Sequence, residues 1–123
     1  MTHSTEKQDK YTLVTLHEEK LNSLVSPDLK AAFVMASGEG TKNIIFDIST
    51  ARYADSSGLS AILVANRLCK NNSGTFVLTG VQDNVKKLIT ISQLDSVLNV
   101  IPTVNEAVDF LFMEEMEREI KNN

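Results

Sequence analysis

The feature that most limits how this chain can fold is a strand–helix–strand pattern at its centre. Ile44-Ile45-Phe46-Asp47-Ile48 is a short apolar run rich in β-branched residues, bounded by Lys42-Asn43 and Ser49-Thr50. Such a run reads as a central strand buried on both faces. After a loop over Ser49–Asp55, Leu59, Ile62, Leu63 and Cys69 recur at helical spacing to about Lys70, with Val64 and Leu68 widening the stripe. Asn71-Asn72-Ser73-Gly74 closes that helix, and Thr75-Phe76-Val77-Leu78-Thr79 forms a second apolar strand. Two strands joined by a helix over this length make a βαβ unit with a right-handed crossover. The chain is therefore α/β.

The flanks extend the same alternation. Tyr11 to Leu16 is rich in strand formers, with burial on both sides expected; His17-Glu18-Glu19-Lys20 is too charged for a core strand and reads as a turn, and Leu21-Asn22 begins a second short strand. Ser26-Pro27-Asp28 signals a helix start, with serine as cap, proline at the first helical position and an acid on the dipole. Leu29, Ala32, Phe33 and Ala36 follow at helical spacing, and Gly38 and Gly40 stop the helix. Val85, Leu88 and Ile89 mark a short third helix begun near Gln82-Asp83, and Val97 to Ile101 forms a last, near-edge strand ended by Pro102. Thr103 with Glu106 three residues on is the capping-box pattern of a final helix. Its inner face is expected to hold Val104, Ala107, Val108, Leu111 and Phe112.

Composition sets the outer limits. The chain has 123 residues, 42% hydrophobic and 23% charged, which suits one domain with one core. A net charge of −4 gives no basic field for direct nucleic-acid binding. The polar N-terminus lacks a signal peptide's apolar run, and no stretch approaches the ~20 apolar residues of a spanning helix, so a cytoplasmic protein without membrane insertion is expected. The single cysteine, Cys69, excludes an internal disulfide and reads as a small buried hydrophobe. Residues 1–9 are polar and predict a flexible N-terminal tail. Residues 10–112 form the domain. Residues 113–123 form an acidic C-terminal helical extension in which Met113 and Met116 are expected to pack.

Candidate chemistry concentrates in Ala54-Asp55-Ser56-Ser57-Gly58-Leu59, between the first central strand and the helix after it. In open α/β sheets, sites gather beyond the carboxyl ends of strands. A helix N-terminus there offers unpaired N–H groups and a positive dipole end. From residue types alone a plain N-cap is the commoner role of such an Asp-Ser pair. A nucleophilic serine is disfavoured. No glycine stands two residues before either serine, and His3 and His17, the only histidines, lie in the tail and a turn. No phosphate-cradling glycine loop or metal-ligand spacing is present, so no enzyme activity, cofactor or metal is expected. Asp47, at the strand end, reads as a loop-capping carboxylate.

This turn in its context resembles the STAS domain, and within it the bacterial anti-sigma factor antagonists. The resemblance spans about residues 10–112 and is strongest over Ile44–Leu63. It implies a STAS-like fold: a small mixed, mostly parallel sheet of four to five strands backed by about four helices, in agreement with the element order. It also implies that Ser56, the serine directly after the aspartate, is a regulatory phosphorylation site. Asn22, Asp55, Ser57, Gly58 and Leu59 would join Ser56 in the partner-binding surface. The implied partners are an anti-sigma factor serine kinase, which binds the unphosphorylated form and releases it on phosphorylation, and a protein phosphatase that restores binding. Where the family often has Gly-x-Leu/Ile-Asp before the first helix, this chain has Glu19-Lys20-Leu21-Asn22, and Ser60 replaces a frequent glycine. The alternative is a constitutive STAS scaffold subunit of a transporter or signalling complex.

Overall fold

The computed structural model describes residues 2–122. Five strands form the main sheet: β1 (His3–Lys7), β2 (Thr12–Leu16), β4 (Ile44–Asp47), β6 (Phe76–Thr79) and β7 (Asn99–Ile101), in the order β1-β2-β4-β6-β7. The β1–β2 pair is antiparallel, and the remaining pairs are parallel. A separate two-stranded parallel ladder joins β3 (Lys20–Leu21) to β5 (Tyr53–Ala54). The helices are α1 (Ser26–Gly38), α2 (Ser56–Asn71), α3 (Asp83–Ile91) and α4 (Val104–Lys121). The expected mixed, mostly parallel sheet with four helices is the observed architecture.

Strict alternation along the central strands sorts the core into two layers. Ile44, Phe46, Phe76 and Leu78 face a large cluster with Leu29 and Phe33 of α1 and Ile62 and Ala65 of α2. Ile45 and Val77 face the other way, onto Ala107 and Leu111 of α4. That is why β4 and β6 read as unbroken apolar runs. Phe33 and Phe46 meet edge to face, with ring centroids 5.2 Å apart, a favoured aromatic geometry. Cys69 is buried in the larger cluster, and burial pushes its thiol up to about 12. A thiol so protonated is a packing residue rather than a nucleophile.

Several expectations change. The segment 1–9, expected as a flexible tail, contains strand β1, whose register runs from His3↔Leu16 to Lys7↔Thr12. An exposed edge strand needs no apolar face; its hairpin is closed by backbone bonds from Gln8 N–H to the Tyr11 carbonyl and from His17 N–H to that of Thr2. Met1 and Asn123, the outermost residues of the two expected end segments, lie outside the described residues. Ser26 does not cap α1. The cap position is Val25, without a side-chain bond, and Ser26 is the first helical residue. β3 begins one residue earlier than expected and includes Lys20 rather than Asn22. β7 is shorter than the expected strand, because Val97 and Leu98 close a 3₁₀ turn over Leu94–Ser96 through bonds to the Leu94 carbonyl. On α4, Thr103 caps as expected, its Oγ accepting from Glu106 N–H at 3.2 Å. Phe112, however, is exposed, and so are Met113 and Met116. A step of ~100° per residue carries Phe112 off the face that Ala107 and Leu111 bury.

Candidate functional site: the N-terminus of α2

Two chain segments arrive together at this site. The parallel register sets Leu21 opposite Ala54, so Asn22 and Asp55 are the next residues on adjoining strands. A further backbone bond, Asp55 N–H to the Leu21 carbonyl at 3.2 Å, continues the ladder. Each strand then turns into a helix. Asn22 Oδ1 accepts from Leu24 N–H at 3.1 Å, and its carbonyl accepts from the N–H groups of Val25 and Ser26. Asp55 caps α2, its Oδ1 accepting from Gly58 N–H at 3.1 Å. The side-chain capping expected of the Asp-Ser turn is therefore carried by Asp55.

That leaves the two serines with different environments. Ser56 is exposed as the first residue of α2, whereas Ser57 is half-buried. The Ser57 carbonyl accepts a 2.9 Å bond from the hydroxyl of buried Ser26, tying the starts of α1 and α2 together. Gly58 and Leu59 are buried beneath the turn. The space beside Gly58 belongs to the chain itself: a Cβ there would stand 2.1 Å from the Leu21 carbonyl oxygen. Glycine at this position lets β3 approach α2. Asn22, Asp55, Ser56 and Ser57 reach the surface together; Gly58 and Leu59 hold them from below.

The adjoining loops are fastened. Thr50 Oγ donates to the carbonyls of Leu16 and Glu18 at 3.0 and 2.9 Å. Asp47 Oδ1 accepts from Ser49 N–H at 3.0 Å, as expected of a loop-capping carboxylate. Gln82 Nε2 donates to the Ser49 carbonyl at 2.6 Å. Around the turn the surface is apolar in places. Leu24 is 84% exposed, and Tyr53 is about half exposed. From Ser56 an open groove of about 380 Å³ runs along α2 past Ser60 and Leu63 to Arg67. Sequence reasoning missed the roles of Thr50 and Ser26 and the β3–β5 ladder, since their partners are more than 30 residues away in sequence. Among the described residues, no group of three or more His, Cys, Asp or Glu side chains is placed to hold a metal ion. No helix among them is long and apolar enough to cross a membrane.

The geometry is a strand–turn–helix with an exposed serine at the helix start, beside a capping aspartate. The sequence model of the STAS domain family matches residues 3–107, and the chain belongs to that family. Solved structures with the same fold include an anti-sigma-factor antagonist (STAS) domain protein from Planctomyces limnophilus, 15% identical with a TM-score of 0.81 over 89% of this chain and 97% of that one. The Bacillus cell fate determinant SpoIIAA in its phosphorylated form is 21% identical, with a TM-score of 0.69 over 87% of this chain and 96% of that one. A sulfate transporter family protein from Wolinella succinogenes is 17% identical, with a TM-score of 0.73 over 85% of this chain and 86% of that one. At these identities the likeness concerns the fold, which serves both antagonist-type and transporter-type proteins.

Proposed function

We propose that this chain is a partner-switching module of the anti-sigma factor antagonist kind, without catalysis of its own, whose binding is controlled by phosphorylation of Ser56. The observation that carries the reading is the exposure of Ser56 at the first position of α2, between a capping aspartate and the half-buried Ser57. A kinase reaches this hydroxyl without unfolding the domain. A phosphate there adds ≈ −1.5 to −2 charge. The helix N-terminus tolerates that charge within the chain. At an interface centred on the turn, the same charge is desolvated and stands beside the Asp55 carboxylate. A loss of one or two decades in affinity requires only about 1.4–2.8 kcal/mol. The switch is thus read by the partner, with no refolding of the domain.

Leu24 and Tyr53 flank the turn as exposed side chains. Tyr53 is the natural anchor for a protein partner, because tyrosine is enriched among the residues that dominate interface energetics, and Leu24 widens the apolar patch beside it. The partner class in this reading is an anti-sigma factor serine kinase, with a phosphatase acting in reverse. The second reading, a constitutive scaffold subunit, is favoured by the transporter-family neighbour. Binding of a purified candidate kinase to the wild type and to Ser56→Ala, with and without ATP, separates the two. The switch predicts that ATP dissolves the wild-type complex and leaves the Ser56→Ala complex intact. An identical response of both proteins contradicts it.

A further inference from the structure

Helix α4 carries four large apolar side chains on the face turned away from the sheet. Phe112, Met113, Met116 and Ile120 are between 43% and 72% exposed. They fall at i, i+1, i+4 and i+8, which is one stripe of a helix. Neither core cluster includes them. The family match ends at residue 107, and the last buried residue of the helix is Leu111, yet α4 continues to Lys121.

Beyond Leu111 the helix is held to the sheet by a polar clasp. Arg118 donates to Glu115 at 2.6 Å and to the Thr75 hydroxyl, and Asn43 donates to Glu115 at 3.0 Å. The clasp turns the cation Arg118 toward the sheet. Helical spacing leaves Glu117 and Glu119, both exposed, on either side of the apolar stripe, and exposed Asp109 in line with it; exposed Lys121 stands outside Glu117 one turn on, so three acids face one base. The outward face therefore joins soft, adaptable apolar side chains to a negative rim. Asn43 and Thr75 stand at the amino ends of β4 and β6, so this face lies at the opposite end of the sheet from the α2 turn.

We propose that this face binds a basic amphipathic helix of a partner protein. Its apolar stripe would cover Phe112, Met116 and Ile120, and its Lys or Arg side chains would meet Glu117 and Glu119. Methionine-rich surfaces accommodate helical partners of this sort, and the rim selects for positive charge. A second copy of the chain is the poorer occupant, since each copy carries a net charge of −4. An anionic membrane surface is repelled by the same rim.

The test uses the full chain and two designed helical peptides with the same leucine stripe, one flanked by lysines and one by glutamates. The lysine peptide is expected to bind at least about ten-fold tighter than the glutamate peptide, with affinity falling as salt rises. Met116→Asp should weaken it by about ten-fold or more, and the double change Glu117→Lys with Glu119→Lys should reverse the preference. The charge pair leaves the stripe intact, so it decides the matter even if Met116→Asp perturbs the helix. Ser56→Asp should leave the peptide's affinity unchanged, which separates this site from the phosphorylation switch. Equal affinity for the two peptides, or binding of neither, overturns the proposal. So does a dimer in sedimentation that Met116→Asp disperses, or a preference for anionic vesicles over the lysine peptide.

Discussion

Helices α1 and α2 begin side by side, and each has a serine as its first residue, but the two serines have opposite roles. Ser26 is 3% exposed and gives its hydroxyl to the Ser57 carbonyl. Ser56 is exposed, and the capping role beside it is filled by Asp55. Ser26-Pro27-Asp28 carries the stronger helix-start signal in sequence, yet its hydroxyl works across the fold. The weaker signal at Asp55-Ser56 holds the accessible group. A serine at a helix start thus acquires its role from what lies across from it. Ser26 serves the structure that presents Ser56.

The largest effect that would break this comparison comes from Gly58→Ala. The added methyl group meets the Leu21 carbonyl and must push β3 from α2, at a cost of about 3 kcal/mol. Thermal unfolding should show Tm falling by roughly 10 °C. Ser26→Ala removes the bond that links the two helices, while the Ser57 carbonyl keeps its place in the α2 ladder, and chemical denaturation should show a loss of about 1 kcal/mol. Asp55→Ala removes the α2 cap and should cost about 1 kcal/mol in the same assay. Ser56→Ala sharpens the contrast, since an exposed hydroxyl should change stability by less than about 0.5 kcal/mol. A destabilisation by Ser56→Ala as large as that of Ser26→Ala would erase the distinction between the two serines.

The elements legible in the sequence were those whose reason for forming is local. Ile44 to Ile48 and Thr75 to Thr79 are apolar on both faces because both faces are covered, and α2 and α3 follow from apolar spacing. Thr103 and Glu106 marked the start of α4 directly. The parts that were not legible depend on distant partners. β1 is polar because it is an exposed edge, so only its pairing with β2 distinguishes it from a tail. β3 and β5 are two residues each and exist through each other. Phe112 continues the apolar spacing of α4 from Val108, but it stands about 100° around the helix from Leu111 and so off the face the sheet covers, which leaves an expected core residue exposed. At the site, the turn alone marked Asp55 and Ser56 as candidates, and the capping carboxylate is seen in Asp55, whereas the role of Ser56 came from the family resemblance. The glycine beside them was visible as a glycine, but its reason, the Leu21 carbonyl, lies 37 residues away in sequence.

The central claim is that Ser56 is the modified hydroxyl of a switch. The most direct measurement is intact mass and peptide mapping of the protein isolated from its native host, with phosphatase treatment as control. The account predicts a phosphatase-sensitive phosphate on Ser56, with none on Ser26 or Ser57. Unmodified Ser56 under every growth condition sampled would contradict it and leave the turn as a helix cap within a constitutive binding surface.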